Sequence, residues 1–596
     1  MLLLARLTAD ASVTLPPSIR YELNDGGSQT LDLAGDDYAQ LLTLADGRHT
    51  LRVIAEFTDA GFSASVDVSV DTDGPTVMAT LPTSVQQRDE VFPLNLTTSE
   101  PIELSSVEVR LAGVRLDAAT GACVANAGCW VVDMSVPALD AMTGSFAVSA
   151  TATDLAGNTK VTALGSVGVT RKRWESEITT QELRAAPAIG RDGTIYIGAR
   201  GSALTGTLLA LNPTDGGVKN SAALLGAIQS VATAVSNDAG LVYFTSNDAT
   251  GGQVGSRSAE DLSLPSGIRP ATSGNGVTPT YSALGLVEKS ATEVGAIAVF
   301  NTEVSAGRVV IYGSSSAPAG DNAVGSAFDF APVPTPASVA NNIVVDGSAA
   351  YLITTLSGTG LNWQPISNVT GNPTAGVAVP LETGGRDCCL SGQAFLSGSS
   401  LVGGTTVGSR QLYLVSAASM TRGDLGVAAD YGTPVVSAIG DAFVGRGTNE
   451  LVRFNPSMLG STGVVLKSGA GIIRTSPVLG RARTGQAVGL GYAVNSTGTL
   501  FAFAQDGSAG SASDWGSAFV GGSTVYAHPT LDCNRRIGAA TARTGVLYVV
   551  GSTKVSAIVV DSPRLLDTVG SWPKYQRTAG NAGNTSAAFP FNPGCP

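Results

Sequence analysis

Six cysteines, two histidines and a set of aspartates in tight turns are the residues of this 596-residue chain that could do chemistry. Cys388 and Cys389 are adjacent, Cys123 and Cys129 are separated by five residues, and Cys533 and Cys595 stand alone. None of these spacings is that of a zinc site, whose thiolates come in close pairs matched by a second pair or by histidines. An even number of cysteines then points to disulfides and an oxidising compartment. Cys123 and Cys129 are expected to close one loop. The remaining four allow three full pairings.

With only His49 and His528 available, histidine-dependent catalysis is tightly constrained. His49 lies in the turn Asp46-Gly47-Arg48-His49-Thr50 and His528 precedes Pro529, and neither has a nucleophile or a metal partner at a known spacing, so both are read as structural. The chain has no HExxH, GxSxG or Walker-type loop and no GxGxxG after a strand. Two carboxylates of a glycosidase would be placed by the fold and leave no sequence signature. Asp59, Asp71, Asp73 and Asp154 sit in oxygen-rich turns that would suit calcium, a hard cation. Ordinary turn capping is the preferred reading of them.

The elements that must position these residues are strands. Gly accounts for 73 residues and charged residues for only 14%. β-Branched runs recur throughout, among them LRVIAEF, SVDVSV, TIYIGA, GLVYFTS and VLYVVGS. No helical periodicity lasts beyond about two turns, so the chain is expected to be all-β. A net charge of −12 argues against a nucleic-acid partner. The basic cluster Arg171-Lys172-Arg173 reads as a linker. No apolar stretch approaches the ~18 residues of a membrane span. The opening Met1-Leu2-Leu3-Leu4-Ala5 is stopped by Arg6, too early for a signal peptide.

Two segments match each other, HTLRVIAEFTDAGFSASVDVSV around Asp59 and FAVSATATDLAGNTKVTALGSV around Asp154. Each reads as the last hairpin of a Greek-key sandwich. The string Asp71-Thr72-Asp73-Gly74-Pro75 resembles the hinge between tandem bacterial immunoglobulin-like domains, and the turn from Thr153 to Asn158 resembles their final hairpin. That resemblance implies two such domains over 1–73 and 74–170. Because 79 residues separate Pro75 from Asp154 while only 58 precede Asp59, the first domain is expected to lack its opening strand and the chain to be part of a longer one.

After Trp174 a unit recurs, clearest from Ala185 to Gly217. Its opening proline is found at Pro187, Pro279, Pro336, Pro434, Pro477 and Pro529, in steps of 92, 57, 98, 43 and 52 residues. Halving the two long steps adds copies near Thr233 and at QAFLSGSSLVGG, giving eight repeats of propeller length. The phrases Pro187 to Tyr196, Leu209-Ala210-Leu211-Asn212-Pro213 and Trp572-Pro573-Lys574-Tyr575-Gln576-Arg577 resemble the PQQ-like propeller repeat of quinoprotein alcohol dehydrogenases and of the Bam-complex lipoprotein. The resemblance implies an eight-bladed β-propeller over 171–596. Closure is expected to come from the strand at Trp174 or from the segment after Trp572.

In the family's dehydrogenases a docking motif ends in Trp. Here Ala210 and Gly216 fit it, but Asn212 replaces its Asp and Asn220 its Trp. Methanol-type enzymes also carry an adjacent-cysteine bridge over the quinone, which Cys388-Cys389 would match out of place. The preferred alternative joins Cys388 and Cys389 to Cys533 and Cys595, tying the tail to the body. No acidic residue stands in a recognisable calcium or base context. The sequence therefore reads as a non-enzymatic binding scaffold, extracellular or on the outer cell surface, with a protein or glycan partner and no cofactor. Contact residues are expected in the inserts at 247–275, 313–334, 358–392 and 505–527. A periplasmic dehydrogenase using PQQ and calcium, and a carbohydrate-active or lectin-like propeller, are the alternatives.

Overall fold

A computed structural model of the chain describes residues 2–595 apart from 6–17, 35–36, 58–59, 118–128, 179–180, 202–204, 235–239, 249–250, 265–270, 273–281, 291–292, 302–306, 314–323, 331–342, 357–359, 371–372, 382–389, 397, 405–411, 427–428, 430, 536–542, 569–570 and 580. The described residues form strands, turns and short 3-10 segments, with no α-helix, so the protein is all-β as the sequence implies. They divide into two compact units.

The first unit holds Met1–Val85, Val91–Pro137 and Ser145–Gly168. Its N-terminal part is one antiparallel sheet in the order Leu2–Ala5, Asp37–Leu41, Gln29–Ala34, Ser18–Leu23, Gly47–Phe57, Ala60–Val70. Ile19, Tyr21, Leu42, Leu51 and Ala55 form its core. The part that follows has two sheets. One contains Glu108–Leu111, Thr143–Thr153 and Thr159–Thr170, and the other Val77–Ala79, Val91–Thr98 and Cys129–Asp133. Alternate side chains point inward, since Phe146, Val148, Ala150 and Ala152 are buried between exposed or half-buried neighbours, and Leu94 and Leu96 do the same on a facing strand.

The second unit holds Gln86–Glu90, Ala138–Gly144 and Val169–Pro596. Among the described residues it contains eight sheets of four or five strands in which consecutive strands pair antiparallel. Their central strands are buried on both faces: Ile195–Arg200, Ala442–Arg446 and Gly545–Val550 are apolar almost without interruption. Such strands need cover on both sides. That cover comes from neighbouring sheets, because each consecutive pair of sheets shares an apolar cluster. The last sheet also meets the first, where Ile195, Leu209 and Leu211 pack with Val546, Tyr548 and Val555. This is the construction of a β-propeller.

Prolines mark the entries to the first strands, where a missing N–H is tolerated. Pro187, Pro434, Pro477 and Pro529 directly precede Ala188–Ile189, Val435–Val436, Val478–Leu479 and Thr530–Cys533. Pro279 and Pro336 lie outside the described residues. Closure comes from the strand Lys172–Glu177, which pairs with Lys554–Val560 and so joins the start of the unit to its last three strands. Among the described residues, the segment after Trp572 adds no strand to that last sheet. The stretches expected as inserts also differ from expectation: each contains a strand, Gly251–Ser258, Val324–Phe330, Gly360–Ser367 or Ser513–Ser517. Their Gly and Ser content hides the alternation by which half-buried strands are recognised.

Beside the closing strand, three guanidinium groups converge on Asp561. Arg171, fully buried, reaches it at 2.6 Å, Arg88 at 3.1 Å, and Arg483 also bonds it. Burial alone would raise the Asp561 carboxyl, but Arg171, Arg88 and Arg483 together hold it below its ordinary value. Arg88 is pushed down to about 10, by burial first and then by Arg171 and Arg483, against the attraction of Asp561. Removing the shared carboxylate leaves three cations in a dry site. Asp561→Ala is expected to lower the unfolding free energy by roughly 3 to 5 kcal/mol, and a denaturant titration by intrinsic fluorescence measures it.

Candidate functional site

The first strand of each sheet has one edge turned away from its own sheet, and the C-terminal segment from Ser571 onward runs along these edges. Val436 and Trp572 exchange main-chain hydrogen bonds at 2.9 Å in both directions. The N–H groups of Leu479, Ile189, Leu286 and Val345 donate to the carbonyls of Pro573, Ala579, Ala582 and Gly583 at 2.8 to 2.9 Å. Side chains serve further strand edges. Asn581 Nδ2 donates to the carbonyls of Ala186, Pro187 and Val231, Gln576 Nε2 to Leu284, and Asn584 Nδ2 to Leu286. The segment therefore bonds strands from six different sheets.

A seventh sheet is reached by a stack and a disulfide. His528, next to Thr530–Cys533, lies flat on Tyr575 with ring centroids 4.0 Å apart. Its Nδ1 accepts from the Ser476 N–H at 2.9 Å. Burial first, and the nearby Lys574 second, push the imidazole down to about 3. Cys533 and Cys595 are bonded to each other with Cα atoms 5.9 Å apart. Arg535 holds the same end of the segment, donating to the carbonyls of Pro593, Gly594 and Arg191 while paired with the buried Asp532.

Two cations enter the axis with the segment. Lys574 Nζ is buried and donates to the carbonyls of Tyr575 at 2.7 Å and Thr578 at 3.1 Å and to Asn581 Oδ1. Burial lowers its amine well below the ordinary lysine value. Arg577 stacks on Phe591 at 4.3 Å and donates to the Asn584 carbonyl, and burial, opposed by Asp346, lowers it to about 10.

The positions singled out in the sequence are distributed as follows. Cys533 pairs with Cys595, so the tail is fastened to the body, but not through Cys388 or Cys389. Those two, with Cys123 and Asp59, lie outside the described residues; Cys129 is disulfide-bonded. His49 bonds Asn24 and the Ala45 carbonyl, holding a hairpin. Asp71 and Asp154 meet Glu100, an acid the sequence reading missed because it is distant in the chain, with carboxylate oxygens within 4.8 Å of one another. Together these three carboxylates could hold a cation. Asp154 also caps its turn through the Asn158 N–H and side chain at 2.8 and 2.9 Å, and Asp71 takes the Asp73 N–H.

The docking motif is replaced by contacts that sequence could not pair. The Trp174 indole covers Gly216, where a Cβ would lie 2.4 Å from the ring, and its N–H donates to the Pro213 carbonyl at 2.9 Å. Asn220 donates to the Glu260 carbonyl at 3.0 Å, linking one sheet to the next without an indole.

Comparisons with solved structures find quinohemoprotein alcohol dehydrogenase from Comamonas testosteroni, 11% identical, covering 66% of this chain and 76% of that one at a TM-score of 0.43. Raptor from Chaetomium thermophilum is also similar, 11% identical over 56% of this chain and 28% of that one, with a TM-score of 0.34. No protein-family model and no curated protein matches.

Two outcomes follow from the axis. The disulfide closes a loop with a sequence separation of 62, and Cys595→Ser is expected to cost on the order of 4 kcal/mol of stability, read from denaturant midpoints with and without reductant. His528 stays neutral in the fold while its unfolded counterpart protonates near 6.5. The unfolded state thus binds more protons between about pH 3 and 6.5, and stability falls on acidification there by about 1.4 kcal/mol per pH unit. Replacing His528 by Phe should flatten that slope in a pH series of melts.

Proposed function

We propose that this chain is a non-catalytic binding scaffold of an extracellular or outer-surface compartment, in which residues 171–596 form an eight-bladed propeller displayed on immunoglobulin-like domains at 1–73 and 74–170. The observation that carries this reading is the occupied axis. A propeller offers an enzyme or a cofactor the channel where its inner strands converge. Here those strands spend their free main-chain groups on Trp572, Pro573, Ala579, Ala582 and Gly583. Recognition then falls to the connections between strands, where side chains are carried on a rigid frame. Exposed apolar residues stand on several of them, including Val377, Ile439, Val520 and Tyr526. The Cys533–Cys595 disulfide supports an oxidising compartment. Among the described residues no helix is long and apolar enough to cross a membrane.

The partner is proposed to be a protein or glycan of the cell surface. The chain incubated with PQQ and calcium is expected to retain no quinone absorbance after gel filtration and to reduce no dye. On glycan and surface-protein arrays it is expected to capture a partner and return it chemically unchanged. Retained quinone with dye reduction would overturn the reading in favour of a dehydrogenase, and a cleaved glycan in favour of a carbohydrate-active enzyme.

A further inference from the structure

The hairpin Gly47–Phe57 and Ala60–Val70 has the longest strands of the N-terminal sheet, and Ala60–Val70 is the last strand of that sheet. Its sequence alternates: Phe62, Ala64, Val66, Val68 and Val70 share one face, and Ser63, Ser65, Asp67 and Ser69 the other. The apolar set lies on the core face, because Val66 is opposite Leu51 and Phe62 opposite Ala55, and both of those belong to the core. Burial nevertheless stops one strand short of the edge. Leu51 is 1% exposed and Ala55 4%, while Val66 is 53% and Phe62 63% exposed. The strand has the pattern of a half-buried interior strand at the position of an edge.

Exposed edges are ordinarily guarded by short length, lysine, proline or a bulge. Ala60–Val70 has none of these. It is 11 residues long, contains neither lysine nor proline, and pairs with Gly47–Phe57 from Val70 to Ala60 without a register shift. The opposite edge of the sheet, Leu2–Ala5, has four residues. The matching hairpin strand, Thr159–Thr170, is guarded as well: it carries Lys160, holds Gly165 at φ of 124°, and has Gln86–Gln87 paired to its end. Among the described residues no strand pairs with the outer edge of Ala60–Val70.

We propose that Ala60–Val70 pairs with the same strand of a second copy of this chain, antiparallel about a two-fold axis through Ser65. Phe62 then lies opposite the partner's Val68 and Ala64 opposite the partner's Val66, so the two core faces join into one. Slipping by one residue would set apolar side chains against polar ones. Charge selects the same register. Asp67 is the only charged residue of the strand and is held by Arg48 and Thr50 of its own sheet. Ser63 lies opposite the partner's Asp67, and the Arg52 guanidinium reaches over Ser63, donating to its Oγ at 3.4 Å. Neighbouring strands are about 4.8 Å apart, so each Arg52 meets the carboxylate of the other copy, and the two-fold axis repeats the pair. A register centred on Asp67 would instead set the two carboxylates face to face. Main-chain hydrogen bonds along the joined edges complete an isologous interface of the strand-addition kind.

The test is the mass of the full chain in solution by sedimentation equilibrium, with covalent capture to locate the interface. The wild-type chain is expected to sediment as a dimer. Val66→Lys puts a charge on a position that is already exposed, and is expected to weaken self-association by roughly tenfold or more. Val377→Lys changes another exposed valine, in the second unit, and should leave the dimer intact. Ser65→Cys should give a disulfide-linked dimer under mild oxidation, because Ser65 faces its own counterpart. Ser69→Cys should not, because the two copies of that residue lie at opposite ends of the paired strands. A monomeric wild-type chain would overturn the proposal. So would a dimer that survives Val66→Lys, or one that cross-links as well through Ser69→Cys as through Ser65→Cys.

Discussion

The edge of each inner strand must be bonded, and the rest of the second unit depends on how that is done. A strand at the edge of a sheet has main-chain donors and acceptors with no partner in that sheet. Where such an edge is buried, leaving it unpaired costs free energy comparable to a lost hydrogen bond at each group. Eight sheets packed one against the next bring several such edges together. A single extended segment serves most of these edges, bonding strands of six sheets and reaching a seventh through a ring stack and a disulfide. Pro573 takes one N–H, Ala579 another, and Asn581 reaches three carbonyls on two sheets at once.

The same requirement explains the composition of the segment. Serving edges that face inward from all sides demands that main-chain and side-chain groups alternate in direction over a few residues. The run from Trp572 to Thr585 therefore mixes amides, small residues and left-handed positions, with no strand or helix period. Gly583 can hold φ of 62° and sits where a Cβ would press on Gln576 and on the Ile343 carbonyl. The large side chains are placed where they fill gaps between sheets: Trp572 joins the cluster of Val344, Leu412 and Val436, and Phe589 that of Leu284 and Ala296.

These constraints also determine what could be read from the sequence. The sheets were legible because each repeat carries local signals: a proline before Val435 or Val478, a D-G turn at Asp192-Gly193, and β-branched runs between them. The copy at Thr233 falls in the first strand Ala227–Ala234, and QAFLSGSSLVGG runs from the end of the first strand Leu390–Leu396 through the second, Ser399–Gly404. The closing strand at Trp174 was one of two candidates, and only pairing with Ala557 distinguishes it. The axis was not legible. Trp572 to Arg577 resembles a PQQ-like phrase, yet its bonds go to residues as far back as Leu284, and no spacing within the chain announces them. The Trp174 cover on Gly216 and the meeting of Glu100 with Asp71 and Asp154 are equally non-local. A missing docking tryptophan can thus be seen in sequence, while its replacement from another sheet cannot.

Non-locality has a consequence for assembly. Residues 571–595 bond first strands that begin with Ala188, Ala227, Ser282, Val344, Val435 and Val478, so their partners exist as a set only when the sheets have come together. Contacts of such sequence separation require chain closure before they contribute, and they form late. The closing strand Lys172–Glu177 has the same character, since it waits for Lys554–Val560. Both late events involve one sheet. Thr530–Cys533 supplies its innermost strand and the cysteine that holds the tail, while Lys172–Glu177 supplies its outermost strand. Ring closure and axis filling are therefore two sides of a single step, and the disulfide, which can bridge only after the tail has reached Cys533, fixes the product of that step rather than guiding the approach to it.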